Sequence, residues 1–364
     1  MKNIVFVIAD MGMGGAQRVV SLLAERLSSL PDYRIGVVIM GEGIHQSFFP
    51  LPSSVRITPL NAAQASSGFF AGICANILRI RKLRHALNRL EPDCVVSFQT
   101  ETNCIALISM MGSGIPVIVS ERSDPYLYPN AKIWRLIRRI VYPLASGAVF
   151  QTAHAARFFD GLIKDRAVIF NPVNACDAAS SEVQAGPYIL GVGRLSPEKG
   201  FDDLIAAHAI ARKAHPELNL VLVGDGPERA ALENMALRLG TRESVFFAGA
   251  RRDLAAYYNP AEVFILPSRY EGLPNALLEA MAQGCAVVST PMFAAAPEII
   301  THGRDGLIAA DGSPEALARE VLKIYENKSL KSELSAQAKI SAARFESKKV
   351  AGEWIDFINI VFPI

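Results

Sequence analysis

Long apolar runs, metal-ligand spacings and a strong net charge are all missing from this chain of 364 residues. The formal net charge is only +2, which leaves no electrostatic footprint for nucleic acid. Cysteines number five, an odd count with no pair at metal-ligand spacing, so they read as reduced core thiols of a cytosolic protein. The longest apolar stretch, 105–119, is broken by Gly112, Gly114 and Pro116 and is not a transmembrane helix. The opening "KNIVFVIAD" has one lysine, a short apolar run, then an aspartate and a Gly-rich turn; it suits a first buried strand better than a signal peptide. Asp-x-Asp occurs nowhere, so a metal is not called for. "GMGGAQ" fails the Gly-x-Gly-x-x-Gly spacing, which argues against a dinucleotide enzyme. No repeat or low-complexity tract is present.

What remains is a well-packed globular composition, 51% hydrophobic and 20% charged, in a chain long enough for two domains. The near-neutral balance hides a split. Residues 1–180 carry 18 Lys and Arg against 12 Asp and Glu, a balance of +6; residues 181–364 carry 19 against 23, a balance of −4. A basic half is expected to meet something anionic, such as a membrane surface, unless the imbalance is chance.

Short β-branched runs alternate with helix-length segments in two series. The first series is "IVFVIA", "RIGVVIM", "CVVSF", "PVIVSE" and "GAVFQ"; the second is "YILGVG", "NLVLVG", "VFFAG", "VFILPS" and "AVVST". Helices are expected over 15–29, 76–90, 132–142, 201–214, 227–239, 274–283 and 313–325. Continuous apolar strands alternating with helices argue for parallel sheets covered on both faces, and two series for two doubly wound domains. The boundary is expected in the small-residue stretch 171–187. The domains are therefore 1–172, 173–346, and a C-terminal helix over 347–364 that packs back toward the first. In open parallel sheets ligands sit beyond the carboxyl ends of the strands. A ligand cleft is accordingly expected between the two domains.

Two motifs lie in such places. "GVGRLSPEKG" (191–200) follows a strand and precedes a helix. Gly191 and Gly193 let backbone approach a ligand, Arg194 offers a planar fork and Lys199 a point charge for phosphate oxygens. The Gly-Lys-Ser/Thr of a Walker loop is absent, and a plain surface loop with two solvated cations is the competing reading. In "EGLPNALLEAMAQG" (271–284), Pro274 suits a first helical position. Free N–H groups of Asn275, Ala276 and Leu277 then form a small anion site at the helix start. Glu279, a turn later, can accept from two adjacent hydroxyls such as those of ribose. Glu271 stays in the loop at the strand's carboxyl end. The two glutamates thus bracket a diphosphate, and their competing reading is two ordinary solvated carboxylates.

Five stretches in order, "GGAQR" (14–18), "GVGRLSPEKG" (191–200), "LVGDGPER" (222–229), "FFAGARRDL" (246–254) and Glu271-x7-Glu279, resemble the retaining glycosyltransferases of family 4. The resemblance covers nearly the whole chain. It implies the α/β GT-B fold, two Rossmann-like domains with an interdomain cleft, and a metal-independent transfer from a nucleotide sugar, UDP-linked, as co-substrate with no further cofactor. It implies that Gly14 and Gly15 approach the donor diphosphate and acceptor. Arg194 and Lys199 would hold the diphosphate, Glu279 the ribose and Glu271 the sugar hydroxyls. The backbone near Arg251 would read the base, with Gly224 close by.

One departure stands out. Many relatives have a histidine near the end of the fourth strand of the first domain; here the stretch is "VSERSDPY" (119–126), with Arg122 in that region. Arg122 is a sugar or acceptor-phosphate contact, or else an ion pair with Glu121 or Asp124. It is not a general base, because arginine keeps its proton. His154 reads as an ordinary loop or helix histidine.

Two first-domain helices look basic and amphipathic. "ILRIRKLRHALNRL" (77–90) sets Arg81, Lys82, His85 and Arg89 against an apolar side; "KIWRLIRRIVYPL" (132–144) sets Lys132, Arg135, Arg138 and Arg139 against Ile133, Leu136, Ile137, Ile140 and Val141. Such faces bind anionic headgroups or an acceptor diphosphate, here through Arg81, Lys82, Arg138 and Arg139, unless they are ordinary solvated helices. With "MGGAQR", the "SER" stretch and "WRLIRRIVYP", the chain resembles enzymes that extend polyprenyl-diphosphate-linked oligosaccharides, especially N-acetylgalactosaminyl transferases of bacterial N-glycosylation. The partners implied are a nucleotide sugar, a lipid-linked glycan and an anionic membrane. The place implied is the inner face of the cytoplasmic membrane. Lipopolysaccharide or capsule transferases, and a catalytically silent GT-B scaffold, are the alternatives.

Overall fold

A computed structural model describes residues 1–12, 14–41, 49–62, 69–127, 132–173, 186–251, 253–291 and 295–363. The expected boundary stretch falls mostly outside the described residues, as does Cys176. The chain divides into two compact units, 1–172 together with 347–364, and 173–346.

The first unit holds a parallel sheet of β1 (Lys2–Ile8), β2 (Tyr33–Ile39), β3 (Arg56–Pro59), β4 (Cys94–Phe98), β5 (Val117–Ser120), β6 (Gly147–Phe150) and β7 (Arg166–Val168). Their order is β3-β2-β1-β4-β5-β6-β7. Strand alternation sends Ile4, Phe6 and Ile8 of β1 into one core and Val5 and Val7 into another, so both faces are covered. Helices α1 (Gly15–Ser28), α2 (Phe69–Leu90), α3 (Thr100–Met110), α4 (Lys132–Val141) and α5 (Ala153–Arg157) follow strands of this sheet. α3 was not expected, because it is buried nearly all round, Thr102 and Asn103 included, and so shows no apolar face.

The second unit repeats the scheme with β8 (Tyr188–Val192), β9 (Asn219–Val223), β10 (Val245–Gly249), β11 (Val263–Leu266), β12 (Val287–Ser289) and β13 (Leu307–Ile308), in the order β10-β9-β8-β11-β12-β13. Its helices are α6 (Phe201–Ala211), α7 (Arg229–Arg238), α8 (Ala255–Tyr258), α9 (Asn275–Ala282), α10 (Ala296–Ile299), α11 (Pro314–Tyr325) and α12 (Lys328–Ala342).

The last helix, α13 (Ser347–Val361), belongs to the first unit. Val350, Trp354, Phe357 and Ile358 enter the core that α1 also covers, and Arg26 of α1 donates to Ser347 Oγ at 3.0 Å. Truncating a fully buried Trp such as Trp354 to Ala costs about 3–5 kcal/mol. Cys94, Cys104 and Cys285 are buried free thiols, each pushed up to about 12 chiefly by desolvation. Cys74 corrects the expectation of core thiols, since it is exposed on α2.

In both sheets the strand order reverses at one place, between β1 and β4 and between β8 and β11. The loops beyond these strand pairs are where an open parallel sheet receives a ligand.

Candidate active site

At the second unit's reversal point, the loop after β8 carries Arg194 and Lys199, and the loop after β11 carries Glu271. The structure joins them. Lys199 Nζ lies 2.5 Å from Glu271 Oε1, and Ser268 Oγ donates to the same oxygen at 2.8 Å. Among the described residues Oε2 of Glu271 has no hydrogen-bond partner. Arg194 is exposed and makes no side-chain hydrogen bond or ion pair there. The pair is partly buried, so its attraction is screened less than that of a surface ion pair, and it fixes a long lysine side chain in one place.

The loops are held by close backbone contacts. Gly200 has φ +64, and a Cβ on it would meet the Pro267 carbonyl oxygen at 2.2 Å, so the β8 loop lies directly on the end of β11. Gly224 has φ +141, and a Cβ there would meet the Gly193 carbonyl oxygen at 1.8 Å. Gly193 N–H donates to Val223 O and Gly224 N–H to Gly249 O, both at 2.9 Å. Arg269 ties the far side, reaching Asp202 at 2.7 Å and Asp203 at 2.6 Å. Gly193 and Gly224 thus serve loop packing, a role the sequence reading did not assign them. Arg251 is exposed just beyond β10.

α9 begins at Asn275, and Pro274 is its N-cap with φ −78 and ψ 101, which corrects the expected start by one residue. Leu277 N–H donates to the Pro274 carbonyl at 3.1 Å. It is therefore engaged, unlike the free donor expected. Asn275 and Ala276 open the helix. Glu279 is buried within α9, and the Tyr258 hydroxyl lies 3.3 Å from its Oε2 and 3.2 Å from the Ala276 carbonyl.

In the first unit, Gly14 caps α1 and Gly15 opens it. Asp10 Oδ1 accepts from Gly12 N–H and Gln17 Nε2, each at 2.9 Å, which fixes the loop after β1. Beyond β4 on the same edge, Gln99 has φ 75 and ψ 143, a conformation that L side chains rarely adopt. Such strain collects at functional sites, and no sequence signal marked it.

Arg122 makes neither of the ion pairs considered for it. Glu121 instead accepts from the Tyr142 hydroxyl and, at 2.9 Å, from Thr100 Oγ1; Asp124 accepts from Tyr126 N–H at 2.8 Å and lies 3.5 Å from His154 Nε2. His154 sits on α5 with its ring 4.7 Å from that of Tyr126. The Arg122 guanidinium lies 5.1 Å from the Phe98 ring and 5.7 Å from the Trp354 ring, and Nη1 donates to Asn171 Oδ1 at 2.8 Å. Desolvation pushes its pKa down to about 9, so it stays cationic at neutral pH. A desolvated cation without an anion costs several kcal/mol, and two π faces return about 2 kcal/mol each at best.

The basic face drawn for α4 is wrong in part. Arg138 is 3% exposed, its guanidinium 4.9 and 5.0 Å from the rings of Phe158 and Phe159. Those rings and the buried Glu121 carboxyl draw it inward. Burial holds that carboxyl above its ordinary range while the charge of Arg138 pulls the other way. Three of the apolar residues point out while Val141 and Ile137 pack on the core: Ile133, Leu136 and Ile140 are 52%, 56% and 65% exposed, flanked by exposed Lys132, Arg135 and Arg139. On α2, Arg81 is exposed, whereas Lys82 is half-buried with Nζ 3.2 Å from the Asn61 carbonyl.

Among the described residues no group of three or more His, Cys, Asp and Glu could hold a metal ion, and no helix is long and apolar enough to cross a membrane. Residues 177–341 match the model of glycosyl transferases group 1. Over 362 residues, 98% of each length, the chain is 28% identical to a Campylobacter jejuni protein named GalNAc-alpha-(1->4)-GalNAc-alpha-(1->3)-diNAcBac-PP-undecaprenol alpha-1,4-N-acetyl-D-galactosaminyltransferase. Sucrose-phosphate synthase from Thermosynechococcus elongatus superposes with TM-score 0.85 at 17% identity, over 99% of each chain. Anabaena HepE in complex with UDP and glucose does so with TM-score 0.81 at 20% identity, over 99% of this chain and 100% of that one.

Proposed function

We propose that this chain, a group 1 glycosyltransferase of the GT-B architecture, moves a sugar from a UDP-linked donor to a polyprenyl-diphosphate-linked oligosaccharide. N-acetylgalactosamine is the favoured sugar, by the name of the Campylobacter relative. One observation carries the reading. The ion pair of Lys199 and Glu271, beside the exposed Arg194, sits where the strand order of the second sheet reverses.

The chemistry follows from charge. Departure of the sugar leaves a nucleoside diphosphate, whose growing negative charge needs fixed positive partners. Lys199 and Arg194 supply two, and the opening amides of α9 a weaker third. Glu271 already spends Oε1 on Lys199, which leaves Oε2 for a sugar hydroxyl. One carboxylate thus aims the cation at the leaving group and itself at the sugar. Glu279 takes the ribose, backbone near Arg251 and Gly224 the base, and the loop of Gly14 and Gly15 the reacting end of the donor. Retention of configuration needs no protein nucleophile if attack and departure share one face and a departing phosphate oxygen takes the acceptor's proton. No step in this scheme calls for a metal.

The acceptor's lipid brings the protein to the inner face of the cytoplasmic membrane. α4 suits that surface in a way the sequence reading had reversed. Ile133, Leu136 and Ile140 enter the acyl boundary, and Lys132, Arg135 and Arg139 meet anionic headgroups, each cation worth about 1 kcal/mol. Arg81 adds to this charge, while Arg138 is withdrawn from it.

The test is a screen of UDP-sugars against lipid extracts with mass analysis of the product. A polyprenyl-diphosphate glycan heavier by one N-acetylhexosamine is expected. Product only on lipopolysaccharide or capsule precursors would move the acceptor to that class. Absence of any thermal shift with UDP, GDP or ADP would favour a silent scaffold and end the proposal.

A further inference from the structure

We propose that Arg122, with Trp354 and Asn171, forms a second oxyanion site that takes a phosphate group of one of the two substrates. It rests on the reading above only in needing a phosphate-bearing substrate.

The arrangement is built from several elements at one edge of the first sheet. Arg122 follows β5, Phe98 ends β4, Gln151 follows β6, Asn171 follows β7, and Trp354 comes from α13. Asn171 Oδ1 accepts from Arg122 Nη1 and from Gln151 Nε2, each at 2.8 Å. The rings of Phe98 and Trp354 hold the plane of the guanidinium. Its remaining nitrogens, Nε and Nη2, are buried and have no hydrogen-bond partner among the described residues, and Trp354 Nε1 is in the same condition. Nε and Nη2 form one side of the guanidinium, the pair of donors that a phosphate takes bidentately. The nearby acids are committed elsewhere, Glu121 to Tyr142 and Thr100, Asp124 to the Tyr126 amide and His154. Buried polar groups are nearly always paired, and a guanidinium fixed between π faces with two donors unpaired is suited to an anion.

The donor's diphosphate and the acceptor's diphosphate offer the same chemistry, and two arms separate them. Arg122→Met is expected to raise either the Kd for UDP or the KM for the lipid-diphosphate acceptor about tenfold or more, the loss of a charged bidentate contact. A change in the acceptor KM alone assigns the acceptor; a change in the UDP Kd assigns the donor. Arg122→Lys, which keeps charge and loses the fork, is expected to recover only part. Trp354→Phe keeps the ring and removes Nε1–H, and is expected to weaken the same substrate less. UDP and acceptor values both within about twofold of the native protein would make Arg122 structural and overturn the proposal. A variant-free measurement stands beside these. Crystals of the native chain with UDP filling the second unit's site are soaked in inorganic pyrophosphate. An anion bonded to Nε and Nη2 is expected; water there, or nothing, overturns the proposal even if the UDP-binding site stands.

Discussion

The two units carry their charges in opposite ways. In the second, Arg194 is exposed, and Lys199 and Glu271 pair at the rim of glycine-knit loops. In the first, Arg122, Glu121 and Arg138 are set among aromatic rings, and Ile133, Leu136 and Ile140 of α4 face outward. Both sheets reverse at the equivalent place, so topology does not make the difference. On the proposed reading, a rim that binds and releases a diphosphate at each turnover needs cations that solvent can reach. Buried cations hold one geometry and reward one shape of anion.

The sharpest way to break this contrast is to remove the second unit's carboxylate. Glu271→Ala is expected to cut transfer by on the order of 10²–10³, a loss of about 3–4 kcal/mol, while UDP affinity stays near native. Equal losses in transfer and UDP binding, measured by kinetics and calorimetry, would show that Glu271 serves the nucleotide and not the sugar. Gly224→Ala tests the knitting itself. A Cβ 1.8 Å from the Gly193 oxygen is expected to destabilise the second unit by about 3 kcal/mol, read from thermal unfolding. An unchanged midpoint would mean that the loops are free to part.

His208 sharpens the comparison by showing one buried titratable group in the second unit. Desolvation lowers its pKa from 6.5 to about 4, against a hydrogen bond to the Leu218 carbonyl at 3.0 Å that works the other way. Between those values the unfolded chain binds a proton that the folded chain refuses. Stability is therefore complete above pH 6.5 and falls toward pH 4, by at most about 1.4 kcal/mol per pH unit. Midpoints followed across that range should slope less in His208→Gln. An identical slope would remove His208 from the acid response. The smallest effect is expected on α4. Exchanging Ile133, Leu136 and Ile140 for serine should weaken flotation with anionic liposomes more than exchanging buried Arg138 for methionine. The reverse order would restore the purely basic face.

The sequence told the two units apart unequally. Strands β1, β2, β4 to β6 and β8 to β12 were legible because continuous β-branched runs mark parallel strands buried on both faces. β3 and β7 are mostly exposed and so lack the continuous apolar run, β13 is only two residues long, and α3 is buried on nearly every side. Lys199, Glu271 and Glu279 stand out as candidates because the two loops before α6 and α9, and the start of α9, keep glycine, proline and charge close together in sequence. Arg122 could be named but not understood, since what surrounds it comes from four strand ends and α13, and the positive φ of Gln99 leaves no mark in the sequence. Arg138 misled because helical periodicity assumes that charge faces water. Two phenyl rings and a buried carboxyl reversed that assumption.

The claim on which the rest depends is that the reversal point of the second sheet holds a diphosphate. Calorimetric titration of UDP and of uridine into the native chain and into Lys199→Ala tests it most directly. UDP binding is expected to weaken about tenfold or more in the variant, while uridine binding stays unchanged. Equal weakening of both ligands, or of neither, would contradict the account.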